Sequence, residues 1–148
     1  MQSEGFTFLL DWAEDMEWTD FIVLLSHQRR GISHLPDRVR AVQLAADVDG
    51  QVVGRASIRF ELNEALTHQG GHIGFGVLPH FRRRGYATEI LRQSVVVARS
   101  EGVARLLLTC HDDNVGSASV IEACGGHLET VIPSVAGQLA LRRYWIGA

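Results

Sequence analysis

The sequence predicts a mixed α/β fold: a central sheet flanked by helices, with one βαβ unit inside it. Three observations carry that prediction. Asp49-Gly50 stands between two runs, VQLAADV and QVVGRASIRF, that partly alternate apolar and polar residues, which is the pattern of an antiparallel hairpin. The strand-like HIGFGVL leads through a proline, three consecutive arginines and a glycine into an amphipathic, helix-patterned stretch. ARLLLTC comes next, short and nearly all apolar, as suits a strand covered on both faces.

The elements follow in order. Residues from about 11 to 28 read as a helix whose acidic N-terminal half suits the positive end of the helix dipole. Phe21, Leu24, Leu25 and Gln28 share one face, with Trp18 a turn earlier. The hairpin strands come next, then LNEALTHQGG as a connecting loop with a single helical turn. HIGFGVL is the third strand; Gly74 and Gly76 inside it mark a bulge or a close backbone approach. The helix from about Gly85 to Ser100 buries Ile90, Leu91, Ser94, Val95 and Ala98, and Gly102 ends it. NVGSASVIEACGG is a helix capped near Asn114 and stopped by Gly125-Gly126. HLETVI and QLALRRYWI close the chain as strands.

The chain has 148 residues, which fits a single domain, 1–148, with a core of its own. A net charge of −3 argues against a general nucleic-acid binder, although residues 82–84 make a local basic patch. No apolar run is long enough to cross a bilayer, and the N-terminus lacks the features of a signal peptide. The two cysteines, Cys110 and Cys124, make no disulfide framework. The expectation is therefore a cytoplasmic protein with neither membrane nor nucleic acid as partner. His27, His34, His68, His80 and His127 are scattered without metal-ligand spacing, so no metal is expected.

GVLPHFRRRGYATEIL, residues 76–91, is the stretch that carries chemistry. Pro79 blocks extension of the strand ending at Val77-Leu78, and a helix starts at Gly85. Such a turn exposes backbone N–H groups that no helical carbonyl satisfies, at the positive end of the helix. Phosphate binds there, and Arg82, Arg83 and Arg84 add forked donors of matching charge. The competing reading is a solvated basic helix start. The segment is neither a Walker A loop nor a Gly-x-Gly-x-x-Gly fingerprint, so the residues by themselves stop at a phosphorylated cofactor.

IGFGVLPHFRRRGYATEIL closely resembles the acetyl-CoA signature of the GNAT N-acetyltransferases, whose loop reads Arg/Gln-x-x-Gly-x-Gly/Ala. Here it is Arg82-Arg83-Arg84-Gly85-Tyr86-Ala87, preceded by Val77-Leu78-Pro79. LLLTCHDDNVGSASVIEACGGHLE resembles the strand-helix block that follows in that family, with Asn114 and Ser117 at its Asn-x-x-Ser/Ala positions. RFELNEALTHQGGHIGF is similar to a block in an uncharacterised bacterial branch of predicted acetyltransferases. The resemblance runs from about residue 42 onward; the first 40 residues match poorly, and FTFLL is the stretch that would supply the family's usual first strand. It implies the GNAT fold, a mixed central sheet with a splayed parallel strand pair and flanking helices. Acetyl-CoA would lie in the splay, as co-substrate. Its pantetheine would pair with backbone at Phe75, Gly76, Val77 and Leu78, and the Val77 N–H would act as oxyanion donor. The amides of residues 83–87 would take the pyrophosphate, Asn114 would touch the pantetheine arm, and Ser117 would keep the facing helix slim. The reaction implied is direct acetyl transfer to a primary amine of a small molecule or peptide. A homodimer is common in proteins resembling this one.

The proton carriers are less regular. Many GNATs place an acidic tyrosine seven residues after the motif's asparagine; this chain has Ile121 there. Tyr144 and Cys110 are the substitutes on offer. For the base, His72 opens the third strand close to where family members carry Glu or His, and its ordinary pKa suits work near neutral pH. A histidine that only hydrogen-bonds loop backbone fits the same position. For the acceptor, Arg59, Asn63 and His72 are the candidate contacts; Arg59 and Asn63 would read an acidic or amide group. The acidic residues of the first helix, with Glu61 and Glu64, would instead draw a cationic amine if they border the cleft, and otherwise form a solvated face. The missing tyrosine also motivates a second function: a CoA-binding sensor or accessory domain of the same fold without turnover.

Overall fold

Asp49 and Gly50 turn the chain with both φ angles positive, 52° and 83°, the geometry of a tight two-residue hairpin loop. The loop joins β1 (Ala41–Val48) to β2 (Gln51–Arg59), as the sequence indicates. This computed structural model describes residues 9–32 and 38–147. Most of FTFLL, the candidate first strand, lies outside them.

β3 (Ile73–Val77) pairs antiparallel with β2, giving one sheet in the order β1-β2-β3. A second sheet has the order β4-β6-β5, with β4 (Leu106–His111), β5 (His127–Ile132) and β6 (Leu141–Ile146) all antiparallel. The expected central sheet is thus built from two antiparallel halves, which meet where β3 begins beside β4. There the His72 N–H donates to the Leu107 carbonyl at 2.8 Å and the Leu107 N–H donates to His72 Nδ1 at 2.9 Å. Gly71 permits this contact. Its φ is 61°, and a β-carbon there would lie 2.2 Å from the Leu107 carbonyl oxygen. Beyond this junction the strands separate, and the turns that follow each of them border a common cleft.

Among the described residues, four α-helices pack around the sheets. α1 (Trp18–Arg30) ends at Gly31 in the left-handed region. It starts seven residues later than the sequence periodicity suggests, because Asp11 turns the chain at φ 66°. Trp12 then packs edge-on against Phe21, 5.2 Å between ring centres. α2 (Glu64–His68) is the single expected turn, capped by the Asn63 side chain. α3 (Tyr86–Ser100) buries the five residues its spacing indicates. α4 (Val115–Ala123) is capped by Asn114. The core lies between α3, α4 and one face of the sheets, with Ile58, Leu91, Leu106, Leu108, Ile121 and Tyr144 fully enclosed. Burying a large side chain of this kind is worth about 1.5–3 kcal/mol, so this layer fixes where the turns before α3 and α4 must fall. Among the described residues, no helix is long and apolar enough to cross a membrane.

Candidate active site

The cleft sits where β3 and β4 part, with a volume near 720 Å³. β3 forms one wall through Phe75, Gly76 and Val77; the start of α4 forms the other through Asn114 and Ser117; the turn before α3 closes the end.

The ladder sets which backbone atoms of β3 face the opening. The Leu78 N–H donates to the Val53 carbonyl and the Arg59 N–H to the His72 carbonyl. Alternate residues of an antiparallel strand point to the same neighbour, so residues 74, 76 and 78 turn their N–H groups toward β2. Those of 73, 75 and 77 turn the other way, into the gap that β4 leaves. Val77 is therefore a cleft-facing amide, whereas the Leu78 amide is spent within the sheet. Leu78 is not among the residues bordering the cleft.

The turn itself is a concave run of donors. Arg83 and Gly85 both take left-handed φ angles, 63° and 84°, one residue apart, which curls successive N–H groups toward one side. The Arg82 N–H is used by the Pro79 carbonyl, and intrahelical pairing resumes with the Glu89 N–H on the Gly85 carbonyl. Among the described residues, no oxygen accepts from the amides of residues 83–88. A β-carbon at Gly85 would meet nothing within 4 Å, so the space in front of that turn is open.

The three arginines divide. Arg82 donates from Nε to the Val77 carbonyl at 3.1 Å and so braces the end of β3. Arg83 borders the cleft. Arg84 leaves it and stacks over the Phe81 ring at 5.7 Å. Tyr86 and Ala87 open α3 against the cleft. On the other wall, Asn114 accepts from the Ser117 N–H at 3.0 Å, so one side chain caps α4 and borders the cleft together.

The expected proton carriers lie elsewhere. His72 is only 7 % exposed and does not border the cleft. Its Nδ1 is the acceptor that joins the two sheets. Burial, then the Arg59 charge, holds its pKa below the ordinary value, so it stays neutral in that role. Ile121 points into the core at 1 % exposure, and the neighbouring Val120 borders the cleft instead. Tyr144 is enclosed, and its hydroxyl donates to Glu122 at 2.8 Å. The Cys110 thiol is buried, which pushes its pKa up. Among the described residues bordering the cleft, none is Asp, Glu, His or Cys.

Arg59 and Asn63 are brought together, but in a second cavity of about 470 Å³ on the sheet face opposite α3. Arg55, not among the candidates the sequence offers, borders the main cleft. Its signal was the alternation Arg55, Ser57, Arg59, which puts all three on one face of β2. Among the described residues, no group of three or more His, Cys, Asp or Glu could hold a metal ion.

Residues 34–125 match the sequence profile of the acetyltransferase (GNAT) family, more than half of the chain. The chain belongs to the GNAT family. As a GNAT protein it is an acetyl-CoA-dependent acyltransferase. A search of curated proteins gives no match. Solved structures share the fold. The microcin C7 self-immunity acetyltransferase MccE, in complex with acetyl-CoA and AMP, is similar at 17 % identity and TM-score 0.62, over 88 % of this chain and 69 % of that one. YncA of Salmonella typhimurium, with its cofactor acetyl-CoA, gives 16 % and 0.64 over 87 % and 72 %. A ribosomal-protein-alanine N-acetyltransferase from Brucella melitensis gives 21 % and 0.64 over 88 % and 77 %.

Proposed function

We propose that this GNAT domain moves an acetyl group from acetyl-CoA directly onto a primary amine of a small molecule or peptide. The observation that carries the reading is the run of backbone amides at 83–88, which have no acceptor among the described residues and stand at the end of an open cleft. That is the chemistry a diphosphate requires, and the cleft volume suits a ligand of cofactor size. The acetyl-CoA carried by MccE and YncA supports the choice of ligand.

Bound there, acetyl-CoA supplies an acyl group already activated as a thioester. The protein's residues do the rest. The amides of 83–88, with Arg83 beside them, hold the diphosphate. Phe75, Gly76 and Val77 present strand backbone along the pantetheine arm, and Asn114 and Ser117 face it from α4. The Val77 N–H would donate to the acyl oxygen and stabilise charge that gathers on it during transfer; one such donor is worth about 3–4 kcal/mol in related chemistry. Arg82 keeps that strand end in place. Among the described residues bordering the cleft none is Asp, Glu or His, so the amine attacks in its neutral form, its surplus proton passes to water, and CoA leaves as the thiolate. Cys110 and Cys124 are free thiols, which suits action in the cytoplasm.

The absence of Asp, Glu, His and Cys from the described cleft residues also favours the second reading, a CoA-binding domain without turnover. Two measurements separate them. A ligand at a hundred times its dissociation constant stabilises the fold by about 2.7 kcal/mol, a rise of roughly 5 °C or more in a domain of this size. CoA and acetyl-CoA should both produce it. Thiol release from acetyl-CoA should then rise above hydrolysis with at least one amine. A thermal shift without amine-dependent release across a broad panel would support the non-catalytic domain.

A further inference from the structure

We propose that the acceptor is a small amine bearing a carboxylate a few bonds from its nitrogen, an amino acid in class, and that the Arg59 guanidinium holds that carboxylate. The proposal rests on the acyl-transfer reading above and names the substrate class for it.

The argument starts from register. Arg55, Ser57 and Arg59 lie on the face of β2 opposite α3, and Gly76 and Gly74 stand directly across from Arg55 and Ser57 on β3. Arg55 borders the cofactor cleft, and Arg59 lines the second cavity, on the same face. The Arg59 side chain leans back along the sheet. A β-carbon on residue 74 would lie in ordinary contact with its Nη2, at 3.6 Å, so the guanidinium lies over Gly74. Gly74 is three residues from Val77, or about 10 Å along the strand. A cation therefore stands about one small molecule's length from the strand end where the thioester would lie.

The chemistry of the pocket points the same way. Arg59 donates from Nη1 to the Gly70 and Gly71 carbonyls at 3.2 and 3.3 Å. Among the described residues, its Nε and Nη2 make no hydrogen bond, and no buried side-chain nitrogen lacks a partner, so these two donors open on the cavity. The carboxylate in the cavity is already engaged: Asp11 accepts from Gln28 and pairs with Arg38. Arg59 has no carboxylate ion partner among the described residues. Burial and the positive charges of Arg55 and Arg38 both disfavour its charged form, and only Asp11 opposes them. A half-buried cation in that setting gains most from an anion, and two adjacent N–H donors form the fork that a carboxylate fits. Ser57 and Gln43 add neutral hydrogen-bonding groups around the same space.

The test is an acceptor panel. Thiol release from acetyl-CoA is measured with the free amino acids and β-alanine, each beside its carboxamide and its decarboxylated amine, and with O-phosphoethanolamine. At least one amino acid should exceed its own amide and amine by about 100-fold in kcat/KM, the scale of the cost of leaving a buried donor unsatisfied. Arg59→Gln should raise KM for that amino acid more than about tenfold while KM for acetyl-CoA stays put, and Arg59→Lys should recover part of the loss. Arg59 also ties down the Gly70–Gly71 loop, so the wild-type panel remains decisive if the variants fold poorly. Equal use of an amino acid and its amide, a preference for the phosphorylated amine, or release with a carboxylate-free amine and none with any amino acid would each overturn the proposal and leave acyl transfer standing. Loss of CoA stabilisation itself would remove both.

Discussion

Gly85 shows why one residue can decide a cofactor site. It holds φ 84° with open space where its β-carbon would be, so backbone conformation and access to the cleft both depend on it. Gly85→Ala should cost about 1–2 kcal/mol, the price of a left-handed alanine, yet keep most of the CoA-induced rise in melting temperature. Gly85→Glu puts an anion where a diphosphate would sit and should abolish that rise; thermal melts with and without CoA check both. His72 carries a pH prediction. Its folded pKa is depressed, so the unfolded chain takes up a proton near pH 6.5 while the native imidazole still resists it. Its contribution is complete above that pH and is lost as pH falls through the lower native value. The melting temperature should therefore drop below pH 6.5, and His72→Asn, whose amide oxygen can replace the Nδ1 acceptor without titrating, should flatten the drop. An unchanged slope in that variant would contradict the role given to the ring.

At the scale of elements, the junction of β3 with β4 makes the cleft. Two hydrogen bonds at His72 and Leu107 hold the strands together at one end, and none of the ladder bonds continues beyond it. Gly71→Ala forces a β-carbon against the Leu107 carbonyl and should destabilise the protein by about 3 kcal/mol or more, read from urea unfolding. Asn114→Ala removes the α4 cap and a cleft-wall side chain together. About 1 kcal/mol of stability should go with it, and CoA affinity should fall as well, separable by calorimetry. The boundaries of these elements were legible in the sequence wherever local chemistry sets them: Asp49-Gly50 for the hairpin, Pro79 and Gly85 for the start of α3, Asn114 and Gly125 for α4. The start of α1 was not, because Asp11 and the Trp12–Phe21 packing override an acidic run that reads as helical.

For the whole molecule, the order of elements and the cofactor turn were written in short-range signals, and the resemblance to GNAT proteins named the fold they add up to. The side-chain assignments depended on which way β3 faces and how far β4 diverges, and neither is local. His72 turned from the cleft into the sheet junction, Ile121 into the core, and Arg59 with Asn63 into a separate cavity. Arg55 was visible only as one member of an alternating row whose face the sequence does not reveal. What unites the molecule is a single geometry, two half-sheets pinned at one end and open at the other, with a helix start aimed at the opening. The most direct test is a titration with CoA followed by backbone amide resonances. The account predicts that the signals of residues 83–88 and of Val77 shift furthest, while a pantetheine fragment lacking the diphosphate moves Val77 and leaves 83–88 in place. CoA binding that leaves the amides of 83–88 unmoved would contradict it.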